Sequence, residues 1–236
     1  MMMENRNPFD YFDKIFCINL DSRPERWIAS QVEFEKLGIK ERVERISGVV
    51  CENPREGFAR AHLKVIEIAK RSNLSNCFIF EDDLLIMEDA KDSLVPAIHE
   101  LENLDWDLFY PGGTTVTPAY QISPHLAKAT GVYTTHSYAL SASLYDVILS
   151  SWPLSKIYDV FLAEDIAPKY QCYLTIPLII FQQPGFSDIE HREVDYKRMM
   201  ERNYARDFVL GAEGKKGIWR LPTKRMPKRE LSEIGK

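Results

Sequence analysis

Short apolar runs alternate along most of the chain with segments whose apolar residues recur at helical spacing. Residues 14–19 (KIFCIN) predict a first strand, Asp21-Ser22 turns the chain, Pro24 lies in the first turn of a helix, and Gly38 stops that helix after Leu37. Residues 43–49 predict a second, short strand. Residues 58–70 predict a helix: Phe58, Ala61, Val65 and Ile68 form one stripe, and His62, Ile66 and Ala69 widen it. A strand over 77–80, a helix over 89–101 and a strand over 107–110 ending at Pro111-Gly112-Gly113 follow. A strand over 133–140, a helix over 142–151 and a late strand over 174–181, interrupted only by Thr175 and Pro177, complete the pattern. Strands separated by helices predict an α/β fold with a mixed, mainly parallel central sheet and ligands at the C-terminal ends of its strands.

With 236 residues and 45% hydrophobic content the chain can bury one substantial core, and neither an internal repeat nor a Pro/Gly/Ser-rich linker divides it. The expected organisation is a single domain over 14–195 with a basic extension over 196–236. From Lys197 onward twelve basic residues face five acidic ones, a surplus of 12 minus 5, or +7, so the total of −5 leaves −12 for the body. Such an extension suits a diphosphate, an anionic glycan, nucleic acid or a membrane surface, or it folds back on its own acidic body. Cys17, Cys51, Cys77 and Cys172 are scattered without CxxC spacing, which predicts free thiols in a reducing compartment. Residues 1–13 lack the apolar core of a signal peptide, and no run of about 18 apolar residues occurs, so a soluble, cytoplasmic protein is expected.

The most informative chemistry is Glu81-Asp82-Asp83, which interrupts an apolar run over 77–87. Charge within an apolar strand is costly unless it is paired, and three adjacent anions repel, so the arrangement calls for a cation or a cation-bound ligand; a solvated acidic turn is the plain alternative. Oxygen ligands without nearby Cys or a His pair favour Mg²⁺ or Mn²⁺, which keep open positions for substrate phosphates.

Several further pieces occur in order. Ile18-Asn19-Leu20-Asp21-Ser22-Arg23-Pro24-Glu25-Arg26 closes the first strand with a Leu-Asp-x-Arg-x-x-Arg turn, and residues 57–62 (GFARAH) begin with Gly and end with His. Phe80-Glu81-Asp82-Asp83, Asp107-Leu108, His136-Ser137-Tyr138-Ala139-Leu140 and Asp159 follow. In this order the chain resembles glycosyltransferase family 25, which includes lipooligosaccharide glycosyltransferases and collagen galactosyltransferases. It departs from the family where Phe58 and Ala61 replace a Cys and a Ser.

The resemblance implies a GT-A fold, a nucleotide-sugar-binding sandwich in which the acidic motif holds Mn²⁺ or Mg²⁺ on the diphosphate of a UDP-sugar donor. A metal there stabilises the charge that builds on the leaving nucleotide. In an extended segment Glu81 and Asp83 share one face and Asp82 takes the other. Asp83 is therefore expected as metal ligand, Glu81 as a ribose or water contact and Asp82 behind them; His191 would add a ligand. Leu20, Arg23 and Arg26 are expected beside the nucleotide, and His62, Tyr138 and His136 on the site wall. An inverting transfer needs a carboxylate base on the acceptor hydroxyl. Ala163-Glu164-Asp165 resembles the x-Glu-Asp motif of inverting enzymes, which favours Asp165, whereas Asp159 matches family 25 by position; a retaining reaction would dispense with the base. The expected acceptor is a hydroxyl of a cytoplasmic glycan precursor, as in lipopolysaccharide biosynthesis. The alternatives are a non-catalytic nucleotide-sugar or carbohydrate-binding module, a transferase acting on a hydroxylated nucleobase in DNA, and an Mg²⁺-dependent nuclease or phosphoryl transferase. For the last, neither a second acidic cluster nor a Walker-type loop is evident.

Overall fold

The structure is a computed structural model that describes residues 6–187 and 191–209. Its strands are β1 (Ile15–Asn19), β2 (Val43–Ser47), β3 (Asn76–Glu81), β4 (Leu84–Ile86), β5 (Leu108–Tyr110), β6 (Thr114–Thr115), β7 (Ala119–Gln121), β8 (Leu126–Lys128), β9 (Val132–Tyr133), β10 (Ser137–Ser141), β11 (Cys172–Thr175), β12 (Ile180–Gln182), β13 (Gly185–Ser187), β14 (Arg192–Val194) and β15 (Phe208–Val209). The helices are α1 (Pro24–Leu37), α2 (Pro54–Arg71), α3 (Ala90–Leu101), α4 (Tyr145–Ser151), α5 (Tyr158–Phe161) and α6 (Tyr196–Asp207).

Nine of the described strands form one sheet in the order β15-β7-β8-β11-β5-β10-β3-β1-β2. Tracing the pairings, seven run in one direction; only β10, antiparallel to β3 and β5, and β8, antiparallel to β11 and β7, are reversed. Alternation along the strands feeds two cores. Cys77 and Ile79 of β3 join Val65, Ile66 and Ala69 of α2 and Ile148 of α4 on one face, while Phe78 and Phe80 join Phe34 and Leu37 of α1 and Leu94 and Leu101 of α3 on the other. The result is a three-layer α/β structure with the C-terminal ends of β1, β2, β3 and β5 along one edge.

Local signals account for the helix limits. Pro24 opens α1, and Gly38 closes it at φ 66°, the left-handed region that suits glycine. Asn53 caps α2 by accepting the Arg55 N–H at 3.1 Å, so this helix starts four residues earlier than its apolar stripe indicates.

Three expectations are corrected. The strand expected over 133–140 is two, β9 and β10, separated by Thr134 at φ 75°. The strand expected over 174–181 is also two: β11 belongs to the main sheet and β12 pairs with β4, with Pro177, which has no N–H to donate, between them. The helix expected over 142–151 begins as a 3-10 turn over Ala142–Leu144 before α4. The short strands β6 to β8 were not foreseeable from periodicity, because two or three residues carry none. At the end of the described chain, α6 packs on β6 and β12, and β15 pairs with β7 at the sheet edge. The rest of the basic extension lies outside the described residues.

The turn after β5 presses its backbone on β12. A Cβ added at Gly112 would fall inside the van der Waals envelope of the Ile180 carbonyl, whereas one added at Gly185 would meet nothing within 4 Å. Gly112→Ala is expected to destabilise by about 1–3 kcal/mol, the scale of overpacking, and Gly185→Ala to leave the thermal midpoint near wild type. Equal midpoints for the two variants would remove this contact from the account.

Candidate functional site

The alternation that builds the two cores also separates the acidic residues. Glu81, the last residue of β3, points to the α2 side, where its Oε1 accepts the Thr135 hydroxyl at 2.7 Å and lies 3.6 Å from His62 Nε2. Asp82 points to the α1 side, where it accepts Asn19 Nδ2 at 2.6 Å and faces Arg26 at 3.4 Å, while its backbone carbonyl accepts Ser30 Oγ at 3.1 Å. The chain then turns into β4. Asp83 Oδ2 accepts Gln182 Nε2 from β12 at 2.7 Å, its carbonyl accepts the Gln183 N–H, and its Oδ1 is buried without a hydrogen-bond partner.

The three carboxyls therefore meet different fates. Asp82 has a guanidinium and an amide to share its charge. Burial pushes Glu81 up to about 8, with Asp82 and Asp159 adding repulsion and the Thr135 bond opposing them. Burial likewise pushes Asp83 up to about 7, helped by the charge of Glu81 and opposed by the Gln182 bond.

Beneath Glu81 lies a buried aromatic and polar cluster. His62 Nδ1 is 2.9 Å from the Tyr138 hydroxyl, which is 3.3 Å from the Tyr158 hydroxyl, and the His62 ring stacks on Tyr158 with centroids 4.8 Å apart. Burial pulls His62 down to about 3, so it is neutral at physiological pH and its approach to Glu81 is not an ion pair. Asp159, in the first turn of α5, sits in the same electrostatic neighbourhood. Its Oδ1 accepts the Val160 N–H at 2.7 Å, and burial raises its pKa.

The other residues singled out from the sequence fall at varied distances from this centre. Arg26 bonds the Phe186 carbonyl at 2.6 Å as well as facing Asp82, tying the β13–β14 hairpin to α1. Arg23 lies 3.7 Å from Glu25, and Leu20 packs over Gly48, where no side chain intervenes. His136 is fully buried with Nε2 3.1 Å from the Ile180 carbonyl, and burial lowers it to about 4. Asp165 follows α5 in a π-helical turn over Leu162–Ile166, where Lys156 Nζ holds it at 2.5 Å and Glu164 at 2.9 Å. His191 is exposed in the turn between β13 and β14, with φ 53°. Among the described residues no group of three His, Cys, Asp or Glu side chains converges on one point, so His191 and Asp83 are not gathered into a preformed cage.

Four residues not singled out earlier complete the site. Asn19, 1% exposed, donates to Asp82 and to the Arg23 carbonyl and accepts Arg45 Nε at 2.7 Å. Arg45 continues to Asp21 at 2.6 Å and holds that carboxyl below its usual range. Thr135 and Gln182 hold Glu81 and Asp83. Asn19 had a signal, an amide closing an otherwise apolar strand; Thr135 and Gln182 had none, because they reach the turn from 54 and 99 residues away.

No protein-family model matches the chain, and no curated protein matches it. Solved structures similar to it include A197 from STIV, at 9% identity and a TM-score of 0.45 over 77% of this chain and 92% of that one. A glycosyltransferase involved in the glycosylation of the major capsid of PBCV-1 is similar at 9% identity and a TM-score of 0.42, over 63% of this chain and 72% of that one. A UDP-glucose pyrophosphorylase complexed with UDP-glucose is similar at 8% identity and a TM-score of 0.45, over 69% and 72%. The function proposed below rests on side-chain chemistry and on none of these likenesses. Among the described residues no helix is long and apolar enough to cross a membrane.

The raised carboxyls make stability depend on pH in a definite sense. Glu81 moves from 4.5 unfolded to about 8 folded, so between these values the folded chain keeps a proton that the unfolded chain releases. Its favourable contribution is full below the unfolded value and is lost as pH rises through about 8; Asp83 acts in the same sense up to about 7. In chelator, wild type is expected to lose urea resistance between pH 5 and pH 9, and Glu81→Gln to lose less, so that the variant's advantage grows with pH. A difference constant across that range would contradict the burial of Glu81.

Proposed function

We propose that this protein is a glycosyltransferase that moves a sugar, most simply a hexose, from a UDP-sugar to a hydroxyl of a glycan acceptor, using Mn²⁺ or Mg²⁺. The observation that carries this reading is Asp83. It is a partly buried carboxyl beyond the C-terminal end of a central strand, with one oxygen buried and unpartnered and a second raised carboxyl, Glu81, beside it. Such a group is costly without a counter-charge, and hard divalent ions use one or two carboxylates while completing their shell with substrate phosphate. The oxygen donors of Glu81 and Asp83 fit that requirement. When bound, the cation would offset negative charge accumulating on the leaving diphosphate. The GT-A resemblance of the motifs and the α/β layering with strand ends at the site support the same reading.

The chain's own residues supply the remaining roles. Arg26 and Asn19 hold Asp82 and fix the turn, leaving Glu81 and Asp83 as the acids without a cationic side chain in direct contact. Asp159 is favoured as the base that takes the acceptor proton, because it shares the neighbourhood of Glu81 and its burial keeps its proton affinity above that of an ordinary carboxylate. Asp165 is disfavoured by its pairing with Lys156. Inversion at the transferred sugar follows from a single displacement with such a base.

Release of UDP from a panel of UDP-sugars with Mn²⁺, with and without glycan acceptors, tests the assignment. Asp83→Asn is expected to abolish Mn²⁺-dependent turnover while leaving the thermal midpoint at or above wild type, since a buried ionisable group is removed. Full turnover in that variant would take the acidic turn out of the mechanism.

The base is checked separately. Asp159→Asn is expected to lower transfer by roughly 100-fold or more with donor affinity near wild type, and Asp165→Asn to change it little. The reverse ranking would return the role to the Ala163-Glu164-Asp165 motif.

A further inference from the structure

Strand β12 lies outside the main sheet, so whatever fixes its position also fixes the Gln182 amide on Asp83. In its pairing with β4, the Met87 N–H donates to the Ile179 carbonyl at 3.3 Å and the Gln183 N–H donates to the Asp83 carbonyl. Ile179 and Gln183, which flank β12, thus make ladder bonds. Ile180 stands opposite Ile86 at a position of the other kind, and the Ile86 N–H is taken by Glu33 at 2.7 Å. A residue at such a position of an antiparallel pair turns both backbone groups away from its partner strand. The Ile180 N–H accordingly meets the Pro111 carbonyl at 3.3 Å, and the Ile180 carbonyl presses on Gly112, where a side chain would collide with it. Ile180 is fully buried, and a carbonyl left there without a donor would be costly.

The donor is His136. Its Nε2 lies 3.1 Å from the Ile180 carbonyl, and because a carbonyl only accepts, Nε2 carries the proton. Nδ1 is buried without a partner, and burial lowers the imidazole to about 4, which keeps the ring neutral. The carbonyl of the same residue accepts the Glu81 N–H at 3.0 Å, where β3 gives way to the acidic turn. One buried residue therefore bridges the end of β3 and the start of β12. Gln182 follows two residues beyond Ile180, and its Nε2 donates to Asp83 Oδ2 at 2.7 Å.

We infer that His136 is a positioning residue for the cation site: its Nε2–H holds the Ile180 carbonyl and so sets where Gln182 presents its amide to Asp83. The role of Asp83 as cation ligand comes from the sugar-transfer reading, whereas the brace is a property of the folded chain and is testable without a substrate.

A double-mutant cycle on Mn²⁺ affinity, measured by calorimetry with saturating UDP, separates positioning from general stability. His136→Leu removes the N–H, and His136→Gln carries an amide N–H to a similar reach. Gln182→Leu and His136→Leu are each expected to weaken Mn²⁺ binding roughly tenfold, the scale for losing a bond that orients a metal ligand. His136→Gln is expected to stay within about threefold of wild type. The double variant His136→Leu/Gln182→Leu is expected to bind no more weakly than Gln182→Leu alone. Losses that multiply to roughly a hundredfold would overturn the inference, since the two residues would then act independently. So would wild-type affinity in His136→Leu, or a loss in His136→Gln as large as that in His136→Leu. In the wild-type protein ¹⁵N NMR is expected to find the His136 proton on Nε2; a proton on Nδ1 alone would overturn the inference even if no variant folds. If wild type binds no Mn²⁺ with UDP, the cation reading falls, and the Gln182 side-chain amide resonance still decides the brace. That resonance is expected to shift in His136→Leu and to hold in His136→Gln, and its constancy in His136→Leu would overturn the inference.

Discussion

Three carboxyls at the end of a buried strand set the problem that the surrounding elements answer. An ionised carboxylate leaving water without a partner is too costly to retain, so each must be paired, hydrogen-bonded or protonated. All three outcomes occur within the turn. Asp82 is paired with Arg26 and bonded by Asn19, Glu81 is bonded by Thr135 and raised to about 8, and Asp83 is held on one oxygen by Gln182 and raised to about 7. The residual cost is thus concentrated on Glu81 and Asp83, and the cation proposed for this turn would offset it.

That division follows from the two-faced sheet. Because side chains alternate along β3, Glu81 leaves toward α2 and α5 and Asp82 toward α1, so the two acids are answered by different layers. The α1 layer is polar where it meets Asp82, through Arg26 and Ser30, and Arg26 also reaches the Phe186 carbonyl of the hairpin above. The α2 layer offers a neutral imidazole and two phenols instead, which accept a carboxyl without supplying a positive charge. Reversed strand β10 is what makes this possible. Running against β3, it starts where β3 ends, so Thr134, Thr135 and His136 arrive at the acidic turn from the opposite direction.

The legibility of these parts in the sequence follows their range along the chain. Helix α1 could be bounded because Pro24 and Gly38 act on their immediate neighbours, and the acidic turn stood out because charge within apolar residues is a local anomaly. The division of the late strand at Pro177 could have been read from the missing N–H, whereas the left-handed Thr134 could not, since nothing in a threonine signals positive φ. The preference proposed for Asp159 over Asp165 rests on the pairing of Asp165 with Lys156, nine residues before it, and on the burial of Asp159 in the neighbourhood of Glu81. Neither contact has a periodic or motif signature. Thr135 and Gln182 remained invisible for the same reason: they are held to the turn by topology alone.

The central claim is that Glu81 and Asp83 give up protons to take a cation together with a diphosphate. Titrating UDP and Mn²⁺ into the protein at pH 7 by calorimetry, in two buffers of different ionisation enthalpy, measures this exchange directly. Binding that requires both components and releases protons into the buffer is the expected result. Binding of UDP that is equally tight in chelator, with no proton released, would contradict the account.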